Sequence, residues 1–309
     1  MENIRSFHFP SSDGVHQCYA REWLPQSEPR GVVQIVHGVS EHIARYDETA
    51  AFLSARGFLV CGEDHLGHGR TAQGGEYGYF AEHDGWTLVT ADVRKLRQLQ
   101  GEKYPGVPYF LLGHSMGSFL TRTYLCRYPG TVDGAILSGT GQEPAPLVAL
   151  GKLLARLICL TRGGHRVSPL VNALSLGAYN RKFKPNRTPA DWISRDEQAV
   201  DRYLADPLCT FQPTAAMFRD MMGGLQYIAS PRALGQMDPA TPVYLFSGGQ
   251  DPVGGMGRGV QKVYGYFEKR GVADLTMKLY PGGRHEMFNE TNRQEVFQDL
   301  LDWLNKHLH

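Results

Sequence analysis

Short apolar runs alternate with longer amphipathic stretches along most of the chain, and this alternation limits the possible folds more than any other feature. Six runs have the length and β-branched content of buried strands. They are Gly31–His37, Phe58–Gly62, Tyr109–Gly113, Val132–Ser138, Val243–Ser247 and Leu275–Tyr280. Helical periodicity marks five stretches between or after them, namely Asp47–Arg56, Thr87–Leu99, Met116–Arg127, Met256–Arg270 and Thr291–Lys306. Strands that alternate with helices predict an α/β protein with a mostly parallel sheet and helices on both faces.

The alternation stops between residues 139 and 236. This segment has helical patterns, among them Leu147–Leu160 and Trp192–Leu204, and no clear strand. We therefore expect a core formed by residues 1–138 and 237–309, interrupted by a helical cap at residues 139–236. Ligands of open α/β sheets bind at the carboxyl ends of the strands, so an insertion at that edge lies over the site.

Composition and charge argue against several classes of protein. The 309 residues carry a formal net charge of +1, which gives no electrostatic reason to expect a nucleic-acid partner. The five cysteines are isolated and odd in number, so they indicate neither a disulfide framework nor a zinc site. The N-terminal residues lack the pattern of a signal peptide, and no apolar run is long enough to cross a bilayer. We expect a soluble, cytoplasmic protein.

The motif Gly113-His114-Ser115-Met116-Gly117 joins a predicted strand to a predicted helix. A G-x-S-x-G motif in this setting is typical of a nucleophile elbow, a sharp and strained turn that exposes the serine hydroxyl. The two glycines leave space where a Cβ would collide with neighbouring backbone. The motif therefore predicts that Ser115 is the nucleophile of a serine hydrolase with the α/β-hydrolase fold.

A serine hydroxyl becomes an effective nucleophile only when a base, itself oriented by a carboxylate, takes its proton. In this fold the acid and then the histidine follow the serine along the chain. His285 lies in a glycine-rich loop after the last predicted strand, and Asp251 follows the strand before it. We assign His285 as the general base and Asp251 as the group that orients it. His165 is less suitable because it falls within the insertion.

Acyl transfer also needs backbone N–H groups that point at the oxygen on which negative charge develops. One donor is expected from the residue after the nucleophile, Met116, and the other from the loop after an early strand. The sequence His37-Gly38-Val39-Ser40 forms such a loop, and we assign the Val39 amide as the second donor. His37 itself is interpreted as a structural residue.

Five sequence blocks occur in the order found in monoacylglycerol lipases and the related bacterial lysophospholipase-like hydrolases, a family that the chain resembles over most of its length. The blocks are HGVSEHIARY (37–46), DHLGHGRT (64–71), GHSMG (113–117), GGQDPV (248–253) and GGRHE (282–286). The resemblance implies an α/β-hydrolase with a helical cap and no cofactor that cleaves esters of one fatty acyl chain. It places the triad and the oxyanion donors on the residues already assigned.

The resemblance also suggests which residues bind the polar head group. Glu41 and Arg45 match the glutamate and arginine that hold this group in monoacylglycerol lipases. His65 and His68, in the DHLGHGRT block, are interpreted as structural residues rather than metal ligands. Phe288 stands where the animal enzymes have a second histidine, and this departure weakens the case for a preference for glycerol.

The stretch Pro146–Leu160 is mostly apolar, with Lys152 and Arg156 four positions apart. Such a helix has three interpretations: packing on the core, lining an acyl pocket, or transient contact with a membrane or micelle. The predicted partner is a small lipophilic ester. The sequence leaves the acyl length and the oligomeric state open.

Two other functions remain open at this point. A peptidase or amidase of the proline-iminopeptidase type would need acidic cap residues to hold a substrate amine, and four candidates are Asp191, Asp196, Glu197 and Asp201. A noncatalytic binding protein is the second alternative, although proteins of that kind usually lack a member of the triad.

Overall fold

A computed structural model describes residues 3–169 and 176–308, and in this part of the chain eight strands form one sheet. They are β1 (Ile4–Pro10), β2 (Gln17–Trp23), β3 (Gly31–Val36), β4 (Phe58–Glu63), β5 (Tyr109–His114), β6 (Gly134–Ser138), β7 (Val243–Gly248) and β8 (Leu275–Tyr280). Their spatial order is β1-β2-β4-β3-β5-β6-β7-β8. β2 is antiparallel to both of its neighbours, whereas β3 to β8 are parallel.

Helices cover both faces of this sheet. Those of eight residues or more are α1 (Asp47–Ser54), α2 (Gly85–Lys103), α3 (Met116–Arg127), α4 (Ala145–Arg162), α5 (Glu197–Ala205), α6 (Ala215–Ile228), α7 (Arg258–Arg270) and α8 (Arg293–Lys306). Alternate residues of the strands point to opposite faces. Val33 and Ile35 of β3 therefore pack with α1 and α8, while Val32 and Val36 pack with α2, α3 and α7. The predicted fold, a mostly parallel sheet between two helical layers, is confirmed.

The six predicted strands are all present, with ends that differ from the prediction by two residues at most. The predicted elements omit β1 and β2. Both strands mix charged and apolar residues, and β1 is an edge strand whose side chains are mostly exposed. Antiparallel strands at the edge of a sheet lack the continuous apolar run that identifies a buried parallel strand.

The inserted segment, defined as residues 139–236, connects β6 to β7 and contributes α4, α5 and α6. Residues 170–175 of this segment lie outside the described residues. α4 packs on α6, which in turn packs on α2 and α3 of the core. None of the helices in the described part of the chain combines the length and the apolar character needed to cross a bilayer.

The helix predicted at Trp192–Leu204 is shorter than expected and begins at Glu197. The Asp196 side chain caps this helix by accepting a hydrogen bond from the Ala199 amide at 3.1 Å. An N-cap residue has extended backbone, so the chain before it does not continue the helix. Trp192 consequently lies in an irregular stretch, where its amide donates to Asn180 Oδ1 at 3.0 Å and its ring contacts those of Tyr179 and His285.

Candidate active site

Ser115 lies at the turn between β5 and α3 with φ 54° and ψ −122°, a backbone conformation that residues other than glycine rarely adopt. Its carbonyl oxygen accepts hydrogen bonds from the Ser118 amide at 2.9 Å and the Ser118 hydroxyl at 2.6 Å. A Cβ at Gly117 would collide with the Val36 carbonyl, and a Cβ at Gly113 would collide with Gly117. The motif therefore needs both glycines, and the strained turn expected from it is present.

The structure brings Asp251 and His285 together at the carboxyl ends of β7 and β8. Asp251 Oδ1 lies 3.0 Å from His285 Nδ1 and also accepts the Val253 N–H at 2.9 Å. Its other oxygen accepts the Ser247 hydroxyl at 2.7 Å. An ionised carboxylate only accepts hydrogen bonds, so His285 Nδ1 carries the proton in the neutral imidazole and Nε2 remains an acceptor.

Burial and charge shift the pKa of both members of this pair. Burial raises the pKa of Asp251, but the charge of His285 and the hydrogen bonds to the carboxylate outweigh it, and the net pKa is lowered. Burial lowers the pKa of His285, but the charge and hydrogen bond of Asp251 outweigh that effect, and the net pKa is raised. The pair therefore stabilises the imidazolium, which is the form that a general base acquires when it takes a proton.

Ser115 and His285 line the same small cavity, whose volume is about 30 Å³. The loop 38–41 forms one wall, and Trp192 and Tyr203 of the inserted segment form another. The Trp192 ring lies 5.1 Å from the His285 ring, measured between centroids. A cavity of this size holds water but not an acyl chain. Entry of a larger ligand therefore requires the inserted segment or its neighbours to move.

Two backbone amides beside Ser115 are free to bind an oxyanion. Met116 is the first residue of α3, where helix amides have no partner within the helix, and Val39 lines the cavity. Within the described residues, neither amide donates a hydrogen bond to another protein group. The Ser40 hydroxyl anchors the Val39 loop by donating to the Phe211 carbonyl at 2.6 Å. Fixed, unpaired N–H groups are what stabilisation of an oxyanion requires.

A buried ion network connects this loop to the loop that carries His285. Arg45 Nη1 donates to Glu41 at 2.7 Å, and the two terminal nitrogens of Arg45 donate to the two oxygens of Glu286 at 2.8 and 2.7 Å. Glu41 also accepts the Gly38 amide at 2.5 Å. Burial raises the pKa of Glu286, but the charge of Arg45 outweighs it, and the net pKa is lowered. The network thus positions the loop of Val39, the predicted oxyanion loop, relative to the loop of His285.

The model of a family described as serine aminopeptidase, S33, matches residues 27–292. The chain is 31% identical over its full length to the monoacylglycerol lipase of Mycolicibacterium smegmatis, all of which it covers. It is 28% identical to the monoglyceride lipase of Rattus norvegicus, over 96% of this chain and 88% of that protein. The chain therefore belongs to the family described as serine aminopeptidase, S33.

Solved structures agree with the sequence relatives. A thermostable carboxyl esterase from Bacillus coagulans, determined in complex with glycerol, has a TM-score of 0.93 and 30% identity, with 99% of each chain covered. A lipase in an open form has a TM-score of 0.91 and 26% identity, again with 99% of each chain covered. The protein is a carboxylic-ester hydrolase with the α/β-hydrolase fold, and the predicted resemblance to monoacylglycerol lipases is confirmed.

Several residues of the site have no role in the sequence-based assignment. Glu286 follows His285 directly in the block GGRHE, which is the one signal that could have pointed to it. The His114 ring lies 4.7 Å from the His285 ring, and burial together with the charge of His285 lowers its pKa to about 4. His114 is therefore a neutral neighbour of His285. Trp192 and Tyr203 reach the cavity from the inserted segment, where no short motif marks them.

The residues assigned to the head group lie at different depths. Glu41 lines the cavity, whereas Arg45 lies behind it and binds Glu41 and Glu286. Phe288, which replaces the second histidine of the animal enzymes, is buried in the apolar core between Phe246 and Tyr46. The polar contact expected from that histidine has no substitute at this position.

Three buried histidines next to the loop of Val39 pack against one another, namely His37, His65 and His68. The rings of His37 and His65 are stacked with centroids 3.9 Å apart, and the His65 amide donates to His37 Nε2 at 3.1 Å. Burial lowers the pKa of His37 and lowers that of His68 to about 3. The lowered pKa values keep His37 and His68 neutral, and the contacts of the three buried rings support the loop of Val39.

The acidic residues that a peptidase would need have local structural roles. Asp191 accepts the Thr188 amide at 3.1 Å, and Asp201 pairs with Arg187 at 2.7 Å. Asp196 caps α5, as described above. None of these three residues, nor Glu197, is among the described residues that line the cavity beside Ser115. The cavity of this family member thus offers no carboxylate from the inserted segment for a substrate amine.

Proposed function

We propose that the protein hydrolyses monoacylglycerols and similar lipophilic esters of one acyl chain through an acyl-enzyme on Ser115. The observation that carries the proposal is the shared cavity of Ser115 and His285, with Asp251 bound to the far side of the imidazole. Relatives named monoacylglycerol lipase, and an esterase determined with glycerol, support this class of substrate.

In the proposed reaction, Ser115 Oγ attacks the ester carbonyl while His285 Nε2 takes the hydroxyl proton. Asp251 stabilises the resulting imidazolium through Nδ1, and the amides of Val39 and Met116 bind the oxyanion. The tetrahedral intermediate collapses as His285 gives its proton to the departing alcohol. A water molecule that His285 deprotonates then attacks the acyl-enzyme and releases the fatty acid.

The buried ion network supports different roles for Glu41 and Arg45 in binding the head group. We propose that Glu41, which lines the cavity, accepts hydrogen bonds from glycerol hydroxyl groups. Arg45 orients Glu41 and neutralises part of its charge from behind. A guanidinium bound to two carboxylates is held rigidly, and rigid positioning is what recognition of a polar head group needs.

We propose that residues 139–236 act as a cap over a core formed by residues 1–138 and 237–309. One part of the cap is tied to the loop of the catalytic histidine. The Glu286 amide donates to the Ile193 carbonyl at 2.7 Å, and Arg195 Nε donates to Glu290 at 2.9 Å. Since these bonds hold the Trp192 region in place, movement that admits substrate belongs to other parts of the cap.

The outer face of α4 supports transient contact between the cap and a lipid surface. Its inner face, with Val148 and Ala155, is buried against α6, while five leucines three or four positions apart are between 48% and 80% exposed. They are Leu147, Leu150, Leu153, Leu157 and Leu160. A contiguous apolar stripe of this length is unusual on a protein surface facing water. A membrane or micelle that holds the substrate would cover it.

We also propose a cytoplasmic location, which the five free cysteines support.

Replacing three of these leucines should weaken binding to lipid vesicles. The variant Leu150→Ser/Leu153→Ser/Leu157→Ser removes apolar surface worth about 1 kcal/mol or more per residue, so vesicle binding in a sedimentation assay should fall at least tenfold. Leu99→Ser is the matched control, because Leu99 is an exposed leucine of α2. Hydrolysis of a short water-soluble ester should stay unchanged in both. Equal vesicle binding by the triple variant and the wild type would contradict the proposed contact.

A substrate panel tests the proposed function. We expect kcat/KM for p-nitrophenyl esters to increase with acyl length from acetate to medium chains, because each buried methylene contributes about 0.8 kcal/mol. Monoacylglycerols should be cleaved at least tenfold faster than lysophospholipids, whose charged head group is costly to bury in so small a cavity. Aminoacyl-arylamides should not be cleaved. Rapid cleavage of an arylamide with little ester hydrolysis would overturn the proposal in favour of a peptidase.

The rate of ester hydrolysis should depend on pH through His285. The base works only when neutral, and its pKa is raised above the ordinary histidine value of 6.5, so the acid limb of kcat/KM should have an apparent pKa above 6.5. Activity is thus lost as the pH falls through that raised value. Initial rates with a neutral, water-soluble ester, measured across a range of pH, give this apparent pKa directly. An acid limb centred below 6.5 would contradict the role given to the Asp251 charge.

A further inference from the structure

Three side chains with metal-ligating atoms meet where the oxyanion loop faces the inserted segment. His42 directly follows Glu41, Asp206 comes immediately after α5, and Cys209 follows three residues later. Their ligating atoms all lie within 4.8 Å of one another. In the described part of the chain this is the only group of three histidine, cysteine or acidic side chains that is so close.

The geometry of the three ligands is close to that of a tetrahedral metal site. His42 Nε2 lies 2.9 Å from Asp206 Oδ2, and the other oxygen of Asp206 accepts the Leu208 amide at 2.8 Å. Zinc bonds of about 2.0–2.3 Å place neighbouring ligand atoms about 3.3–3.8 Å apart. His42 and Asp206 would need to separate, and Cys209 to approach, by about 1 Å or less. Rotations of the side chains alone can provide such changes.

Two of the three residues are buried, and the third is partly exposed to solvent. Cys209 and His42 are 2% and 8% exposed, whereas the Asp206 side chain is 29% exposed. A metal ion can therefore enter from the Asp206 side, and this side leaves room for water as the fourth ligand. A sheltered site with one open position is typical of metals held by three protein ligands.

The charges favour a dication of the zinc class. A free cysteine thiol carries its proton at neutral pH, whereas a cysteine binds a metal ion as the thiolate. A bound dication displaces that proton to solvent, and the thiolate and the Asp206 carboxylate then balance its two charges. His42 binds as neutral imidazole. Sulfur and nitrogen ligands favour Zn²⁺ or Co²⁺ over Mg²⁺ and Ca²⁺, which prefer oxygen.

We propose that His42, Asp206 and Cys209 form a binding site for a dication of the zinc class, and that the bound ion ties the inserted segment to the oxyanion loop. His42 belongs to the loop that carries Val39, whereas the other two ligands belong to the inserted segment. The cavity beside Ser115 must widen before an acyl chain enters. A metal bridge opposes that widening, so metal binding lowers the rate of ester hydrolysis. This consequence for the rate rests on the proposed function; the binding site does not.

Calorimetric titration of Zn²⁺ into protein freed of metal by a chelator tests the site. We expect one zinc ion per chain, with affinity that increases with pH because binding displaces the thiol proton. Cys209→Ser should weaken this binding at least tenfold, whereas Cys159→Ser should bind as the wild type does. Cys159 is the matched control because it is another cysteine of the inserted segment, half-buried on α4. Co²⁺ should produce thiolate-to-cobalt charge-transfer absorption in the wild type and not in Cys209→Ser.

A second variant distinguishes loss of a zinc ligand from a folding defect. Asp206→Asn keeps the size of the side chain and should also weaken zinc binding, with circular dichroism and thermal melting used to confirm that both variants fold. Absence of zinc binding by the wild type, or binding that both variants retain unchanged, would overturn the site. If saturating zinc leaves the rate of ester hydrolysis unchanged, the proposed metal bridge would be overturned. If zinc still inhibits Cys209→Ser, the bridge would also be overturned, since zinc would then act at another site. An inactive metal-free wild type counts against the proposed function and not against the site.

Discussion

Ser115→Ala should lower kcat/KM for a p-nitrophenyl ester by at least about 10,000-fold, because loss of the nucleophile removes the acyl-enzyme pathway and leaves only binding and the oxyanion amides. The substitution deletes one oxygen atom at a position whose backbone is held by Ser118, so the fold should be retained. Initial rates at low substrate concentration, with thermal melting of each variant, provide the measurement. Ser54→Ala, a substitution of a partly exposed serine on α1, should leave the rate unchanged.

A Ser115→Ala variant that retains more than about one-tenth of the wild-type rate would show that another group attacks the ester. Such a result would leave the carboxylic-ester hydrolase assignment intact, since that assignment rests on the family. It would overturn the mechanism and direct attention to Ser40, the other serine that lines the cavity, whose hydroxyl donates to the Phe211 carbonyl in this structure.

Asp251→Asn should lower kcat/KM by about 10,000-fold even though the side chain keeps its size. The amide can donate a hydrogen to His285 Nδ1, which would move the imidazole proton to Nε2 and remove the acceptor that takes the Ser115 proton in the proposed reaction. The hydrogen bonds from Ser247 and Val253 that now hold the carboxylate would lose their charged acceptor. Loss of the charge should also lower the pKa of His285, so the residual acid limb should move to lower pH.

The control for this variant is Asp238→Asn, because Asp238 precedes β7 and its carboxylate accepts the Ala240 amide in a local turn. It should have wild-type kcat/KM. If Asp251→Asn and Asp238→Asn had equal activity, His285 would have to be oriented by another group. Glu286 adjoins His285 in the sequence and its charge also raises the His285 pKa, so Glu286→Gln would then be the next variant to measure.

The central sheet could be predicted from the sequence because its parallel strands β3 to β7 are buried on both faces, whereas only the edge strand β8 is partly exposed. Such strands appear as continuous apolar runs, and β3 to β8 all correspond to predicted runs. β1 and β2 could not be recognised in the same way. β1 pairs with β2 at the edge of the sheet, and its partly exposed residues alternate without a strong pattern. Pairing between strands, rather than local composition, determines their structure.

The predicted triad depends on a local signal for each residue. Ser115, Asp251 and His285 each follow the end of a strand, and parallel strands bring their carboxyl ends to one edge of the sheet. The buried ion network has no such signal, because Arg45 and Glu286 are 241 positions apart. The contact of His42 with Asp206, 164 positions away, also could not be predicted from the sequence. These groups depend on how loops pack in three dimensions.

Mass spectrometry after reaction with a fluorophosphonate probe tests the assignment of Ser115 most directly. The probe forms a stable bond with an activated serine, so we expect one adduct per chain, mapped by peptide analysis to Ser115. Labelling should be absent in Ser115→Ala and at least a hundredfold slower in His285→Ala, where no base activates the hydroxyl. An adduct on a different residue, or undiminished labelling of Ser115→Ala, would contradict the assignment.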